Sequence, residues 1–119
     1  MAFVKVDGEK FLFIRYEPEE MSDQQNLKKE LLAEAESGKA RDTVLLFTNA
    51  SAIYSMEIGI IVQFLKTLDG SERMLRLVAS TYVCEMLKTM NIHKIPNIVL
   101  YYSLAALQEV YPDVDFGAF

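Results

Sequence analysis

The spacing of apolar and polar positions predicts a chain of short strands and helices in the order β-β-α-β-α-β-α-β-α. Ala2–Val6 reads as a strand, Asp7-Gly8 as a two-residue hairpin turn, and Glu9–Arg15 as the returning antiparallel strand. The run Phe11–Ile14 is too apolar for an exposed edge, and Pro18 stops the strand. After the acidic stretch 17–25, a helix is predicted from about Ser22 or Asp23 to Ser37. Leu27, Leu31 and Glu34 share one of its faces, Leu32 and Ala35 lie beside them, and Gly38 serves as the C-terminal cap.

The central segment runs from Thr43 to Gly70. Val44–Phe47 is continuously apolar, as suits a strand covered on both faces. Thr48–Ala52 is a small polar loop, Ser55 is placed to cap a helix from Met56 to Leu68, and Asp69-Gly70 closes it. Glu72–Ala79 reads as a further strand. Ser80 caps a helix through about Met90, which carries Val83, Met86, Leu87 and Met90 at helical spacing, and Asn91 ends it in the left-handed conformation. Asn97–Tyr102 is the last strand, and Ser103 caps a short helix, Leu104–Tyr111, before Pro112. The tail 113–119 is expected to fray, although Phe116 and Phe119 offer it a means of docking. After the opening hairpin, strands alternate with helices, so the expected class is α/β. The expected sheet is five-stranded, mixed and mostly parallel, with right-handed crossovers and four helices.

Composition narrows the function. A length of 119 residues with 51% apolar residues suits one domain with a core that needs no covalent staple. No apolar run approaches the ~20 residues needed to span a bilayer. The start, MAFVKVDGEK, lacks a basic segment followed by an apolar one, so a secretory signal is not expected. Cys84 is the single cysteine, which excludes an internal disulfide and fits a reducing cytoplasm. Seventeen acids against twelve bases give a net charge of −5, which disfavours nucleic acid and anionic membrane as partners.

Candidate chemistry is sparse. Cys84 lies mid-helix among apolar neighbours and His93 in a loop, so they do not form a nucleophile and base. With one histidine and one cysteine, a zinc site would need carboxylates for most of its ligands. The turn after the central strand has no base and no phosphate-cradling glycines. No catalytic residue, metal or cofactor is expected. The acids Glu17, Glu19, Glu20 and Asp23 read as a solvated face at a helix start, and Tyr101-Tyr102 as packing aromatics at a strand end.

In element order, and most closely over Val44–Val110, the chain resembles the STAS domain, the fold of bacterial anti-sigma factor antagonists and of the cytoplasmic tails of sulphate transporters. In antagonists an Asp-Ser-Ser-Gly-Leu-Gly turn opens the second helix. Here the same place reads Tyr54-Ser55-Met56-Glu57-Ile58-Gly59, and the later stretch VCEMLKTMNIHKI also follows the family's pattern. The resemblance implies a cytoplasmic, non-catalytic interaction domain in bacterial partner switching. Its implied partner is an anti-sigma factor or kinase, another STAS protein, or a transport complex, and a homodimer is also compatible. The family's phosphorylated serine falls on Met56, which has no hydroxyl, so no phosphorylation is expected there. Ser55 is a secondary candidate, displaced by one residue and expected to be engaged in capping.

The partner surface implied by the family comprises Ser55, Met56, Glu57, Ile60 and Phe64. Ile58, Ile61, Val62, Leu65 and Leu68 form the core face of the helix, and Met56, Ile60 and Phe64 a second stripe beside it. That stripe is either buried or a partly exposed patch, and the resemblance favours the patch. Glu57 complements the helix dipole and could stand in for a phosphate's charge. Two other functions compete: a structural or regulatory subunit of a larger assembly, and a small-molecule or nucleotide sensor using Thr48–Tyr54. The absence of glycine from that loop counts against the sensor.

Overall fold

A computed structural model describes residues 3–119, and Ala2, expected at the start of the first strand, lies outside the described residues. The strands are β1 (Phe3–Asp7), β2 (Phe11–Tyr16), β3 (Asp42–Phe47), β4 (Leu75–Val78) and β5 (Ile98–Tyr101). The helices are α1 (Met21–Glu36), α2 (Ser55–Leu68), α3 (Thr81–Thr89) and α4 (Leu104–Gln108), with single 3-10 turns at Ile92–Lys94 and Phe116–Ala118. The strands lie side by side in chain order; β1 pairs antiparallel with β2, and the remaining pairs are parallel. This is the mixed five-stranded α/β architecture that the hydrophobic pattern predicts.

The sheet advances in one direction through three parallel steps, so crossovers of one hand lay α1, α2 and α3 on the same face. Leu12, Ile14, Leu45, Leu75 and Leu77 meet Leu27, Leu31, Ile61, Leu65, Val83 and Leu87 there. The alternate residues Phe11, Phe13, Val44 and Val78 point to the other face, where Leu107 of α4 and Phe116 cover them. Two covered faces explain why β2 and β3 are apolar without alternation.

The helix ends follow local chemistry. The Ser80 hydroxyl accepts from the Val83 amide at 3.1 Å, and the Ser103 hydroxyl from the Ala106 amide at 3.2 Å. Asn91 has φ 60° and Gly38 φ 70°, the left-handed turns that release α3 and α1.

Element ends shift by a few residues, β4 being Leu75–Val78 rather than Glu72–Ala79, α4 ending at Gln108 rather than Tyr111 and α1 starting at Met21. Two further expectations change. The hairpin turn is longer than Asp7-Gly8, because Asp7 pairs with Leu12 and leaves residues 8–11 to form the connection. The Asp7 carboxylate is drawn away to Arg41, and the turn closes instead through Gly8 N–H donating to the Phe11 carbonyl at 3.0 Å. The tail also docks rather than frays. Phe116 is buried with its ring 5.5 Å from Phe11 and 5.7 Å from Phe13, and Arg15 Nη1 donates to the Phe119 carbonyl at 2.8 Å. One helical turn puts Phe116 and Phe119 within reach of the β2 rings.

At the end of the sheet where the parallel strands begin, α1 delivers Glu34 inward, as its helical phase predicts. Glu34 is 4% exposed and Arg41 7%, and they pair in bidentate fashion: Nε to Oε2 at 2.8 Å and Nη2 to Oε1 at 2.7 Å. Arg41 Nη1 also donates to the Asp7 carboxylate and to the Gly8 carbonyl, while Arg73 Nη2 donates to the Glu34 carbonyl at 2.6 Å. This buried cluster ties the hairpin, α1 and the entries to β3 and β4 together.

Candidate functional site

The opposite end of the sheet carries the loop from β3 to α2. Thr48 fixes its start, because its backbone N–H and its hydroxyl both donate to the Tyr16 carbonyl, at 3.2 and 2.8 Å. Ile53 is buried and anchors its middle. Ser80 fastens it from the far side by donating its hydroxyl to the Ala50 carbonyl at 2.9 Å. The loop is therefore held on both flanks before α2 begins.

Tyr54, not Ser55, is the N-cap residue of α2. The orphan donor at this terminus, the Tyr54 backbone N–H, is satisfied by Glu57 Oε1 at 2.9 Å. The other oxygen of Glu57 accepts from the Tyr16 hydroxyl at 2.7 Å. Glu57 is fully buried. Burial, and then the adjacent Glu57 carboxylate, hold the Tyr16 hydroxyl well above the usual tyrosine range, so it stays protonated and keeps donating. A negative charge in the first turn is favoured by the helix dipole, and here it also closes the helix onto β2.

This geometry corrects three expectations. Ser55 does not cap; it is the first residue of α2, it is exposed, and its hydroxyl has no hydrogen-bond partner among the described residues. Glu57 faces inward, so it does not present a phosphate-like charge to a partner. Ile60 and Phe64 are 7% and 3% exposed, so their stripe is not an open patch. They form the floor of a groove between α1 and α2, with half-buried Met56 at its edge. Ser55 and Met56 alone among the five predicted contact residues reach the surface appreciably.

Residues outside the predicted set complete the surface. Tyr54 is 55% exposed and Met21, the first residue of α1, is 77% exposed. Together with Asn49, Glu20, Ser55 and Met56 they line a hollow of about 530 Å³. The sequence signal for Met21 was an isolated large apolar residue inside an acidic stretch. The acids around it are not all solvated: Asp23 is buried, and its Oδ2 accepts from the backbone N–H groups of Glu19 at 2.7 Å and Glu20 at 3.0 Å. Those two bonds hold its carboxyl below the usual aspartate value.

The remaining candidates are separate from this surface. Cys84 is buried with its Sγ 3.6 Å from the carbonyls of Ala79 and Tyr101, and burial pushes the thiol up. His93 is exposed on the 3-10 turn after α3. Among the described residues no three metal-ligating side chains come together, and no helix is long and apolar enough to cross a membrane.

No family model and no curated protein matches the chain. Solved structures do. An anti-sigma-factor antagonist (STAS) domain protein from Planctomyces limnophilus superposes with TM-score 0.69 at 14% identity, over 92% of this chain and 97% of that one. A candidate anti-sigma factor antagonist from Thermotoga maritima gives 0.66 at 21% identity, over 92% of this chain and 94% of that one. The anti-sigma factor antagonist SpoIIAA in its unphosphorylated form gives 0.65 at 14% identity, over 96% of this chain and all of that one. The fold of this chain is that of the STAS domains of anti-sigma factor antagonists.

Proposed function

We propose that this chain is a single non-catalytic STAS-type regulatory domain that binds a protein partner through Tyr54, Ser55, Met56 and the facing Met21. The observation that carries this is the pair of large exposed apolar side chains, Met21 and Tyr54, on one hollow at the start of α2. Exposed apolar anchors on a rigid support mark contact surfaces. The support is the Tyr16–Glu57–Tyr54 chain of hydrogen bonds. Glu57, Ile60 and Phe64 then serve the site from beneath, by fixing the helix that carries Ser55 and Met56. By likeness to the antagonists, the partner is an anti-sigma factor or a second STAS protein.

Met21→Glu and Tyr54→Ala change exposed side chains and are expected to leave thermal stability nearly intact, within about 0.5 kcal/mol. Each is expected to weaken capture of the cognate partner by about tenfold or more, the usual effect of losing an interface anchor. Full-strength binding by both variants would remove this surface from consideration.

The switch is proposed to work without the family's phosphoserine, because Met56 occupies the acceptor position. Intact-mass measurement of protein isolated from its source is expected to show no stoichiometric phosphate at the central turn. Since the Ser55 hydroxyl is exposed and not engaged in capping, peptide mapping should target it; full occupancy there would restore a conventional switch.

A further inference from the structure

The groove between α1 and α2 lies beside the partner surface and has a different character. Its volume is about 370 Å³, with Leu31, Ile60 and Phe64 as an apolar floor. That is at the small end of the roughly 300–1,000 Å³ of small-molecule sites. A partner helix is roughly 10–12 Å across with its side chains and needs a larger trough.

Two features of the lining lack a role in the fold. Gly59 stands inside α2, where glycine lowers helix stability. Its φ is not left-handed, and a Cβ there would meet nothing within 4 Å, so neither the backbone nor packing requires a glycine. The missing side chain leaves the groove wall open. Lys28 is the one charged residue of the lining, and its ammonium has no ion-pair or hydrogen-bond partner among the described residues. In a chain of net charge −5, a lone cation over an apolar floor favours a ligand with an anionic head and a hydrocarbon tail.

We propose that this groove binds a medium-chain acyl carboxylate, its tail on Ile60 and Phe64 past Gly59 and its carboxylate paired with Lys28. Lys28 supplies a charge-assisted hydrogen bond at the rim, and the exposed Gln63 amide offers a second donor. The proposal does not depend on the identity of the protein partner.

Purified full chain would be titrated with decanoate, decanol and acetate, all below the concentration at which decanoate forms micelles. Calorimetry would supply affinity and amide NMR the location. Saturable decanoate binding is expected, with shifts centred on Gly59, Ile60 and Phe64. Decanol is expected to bind about tenfold more weakly, because it lacks the charge-assisted bond, and acetate not to saturate. Lys28→Gln lies on the exposed surface, leaves folding intact and should cost decanoate the same factor of about ten. Gly59→Leu should abolish binding while strengthening the helix. Absence of saturable decanoate binding overturns the proposal. So does equal affinity for decanol and decanoate, an unchanged affinity in Lys28→Gln, or tight binding by folded Gly59→Leu.

Discussion

Phe64→Asp is expected to abolish cooperative folding. Phe64 is 3% exposed and belongs to the main core cluster, so the change removes a buried ring and leaves a carboxylate with no partner. Truncating a buried phenylalanine costs about 3–5 kcal/mol, and burying an unpaired charge adds several more. A domain of this size typically has about 5–15 kcal/mol in total. Circular dichroism should show a featureless thermal trace, whereas Phe64→Leu, which keeps an apolar contact, should still melt cooperatively. A Phe64→Asp protein with a wild-type melt would mean that the Met56–Ile60–Phe64 stripe faces water.

Arg41→Met should be nearly as damaging for a different reason. It leaves Glu34, 4% exposed, as a buried carboxylate without its bidentate partner, at a cost of about 3–5 kcal/mol. The double variant Glu34→Leu/Arg41→Met removes both charges and should recover most of that loss in urea denaturation. If the double variant is as unstable as the single one, the Glu34–Arg41 pair is not what the cluster depends on. Acid titration adds a second reading. The hydrogen bond from Arg41, and then its charge, hold the Asp7 carboxyl below its usual value, as backbone N–H groups do for Asp23. A carboxyl depressed in the folded state stabilises the fold above its unfolded pKa of about 3.9 and loses that contribution as pH falls through the folded value. Wild-type stability should therefore drop below about pH 4, and more shallowly in Arg41→Met, where Asp7 no longer contributes.

The architecture was legible because it depends on local patterns. The unbroken apolar runs of β2 and β3 announced a sheet covered on both faces, and Ser80, Ser103, Gly38 and Asn91 announced helix ends through chemistry that acts within a few residues. The phase of α2 was legible in part: Ile61, Leu65 and Leu68 are buried as expected, whereas Ile58 and Val62, expected with them, are half-buried and the buried arc is turned toward Ile60 and Phe64. What escaped were contacts set by distant neighbours. Glu57 reads as a surface acid until Tyr16, 41 residues earlier, is brought beneath it. The Asp7-Gly8 turn looks like a tight hairpin until Arg41, 34 residues later, takes the aspartate. The stripe from Met56 to Phe64 could be assigned to core or surface only once α1 was seen to lie across it. Ser55 failed for the opposite, very local reason: adjacent polar residues at a helix start differ by one position, and the Glu57 carboxylate decided which of them begins the helix.

The back of the sheet imposes an order of events on folding. On the helical face each neighbouring pair of strands is bridged by the segment between them, so closure proceeds through moderate loops. On the other face α4 covers the β4–β5 side, and Phe11 and Phe13 wait for residues 111–119, which return to the strands at the start of the chain; Arg15 and Phe119 are 104 positions apart. Such a contact carries a large loop-closure entropy and belongs to the late, non-local part of assembly. Until it forms, Phe11 and Phe13 lie bare on a sheet whose helical side is already built. With residues 111–119 displaced, the Phe11 and Phe13 rings would form an exposed aromatic face, the kind of surface through which partly folded chains self-associate.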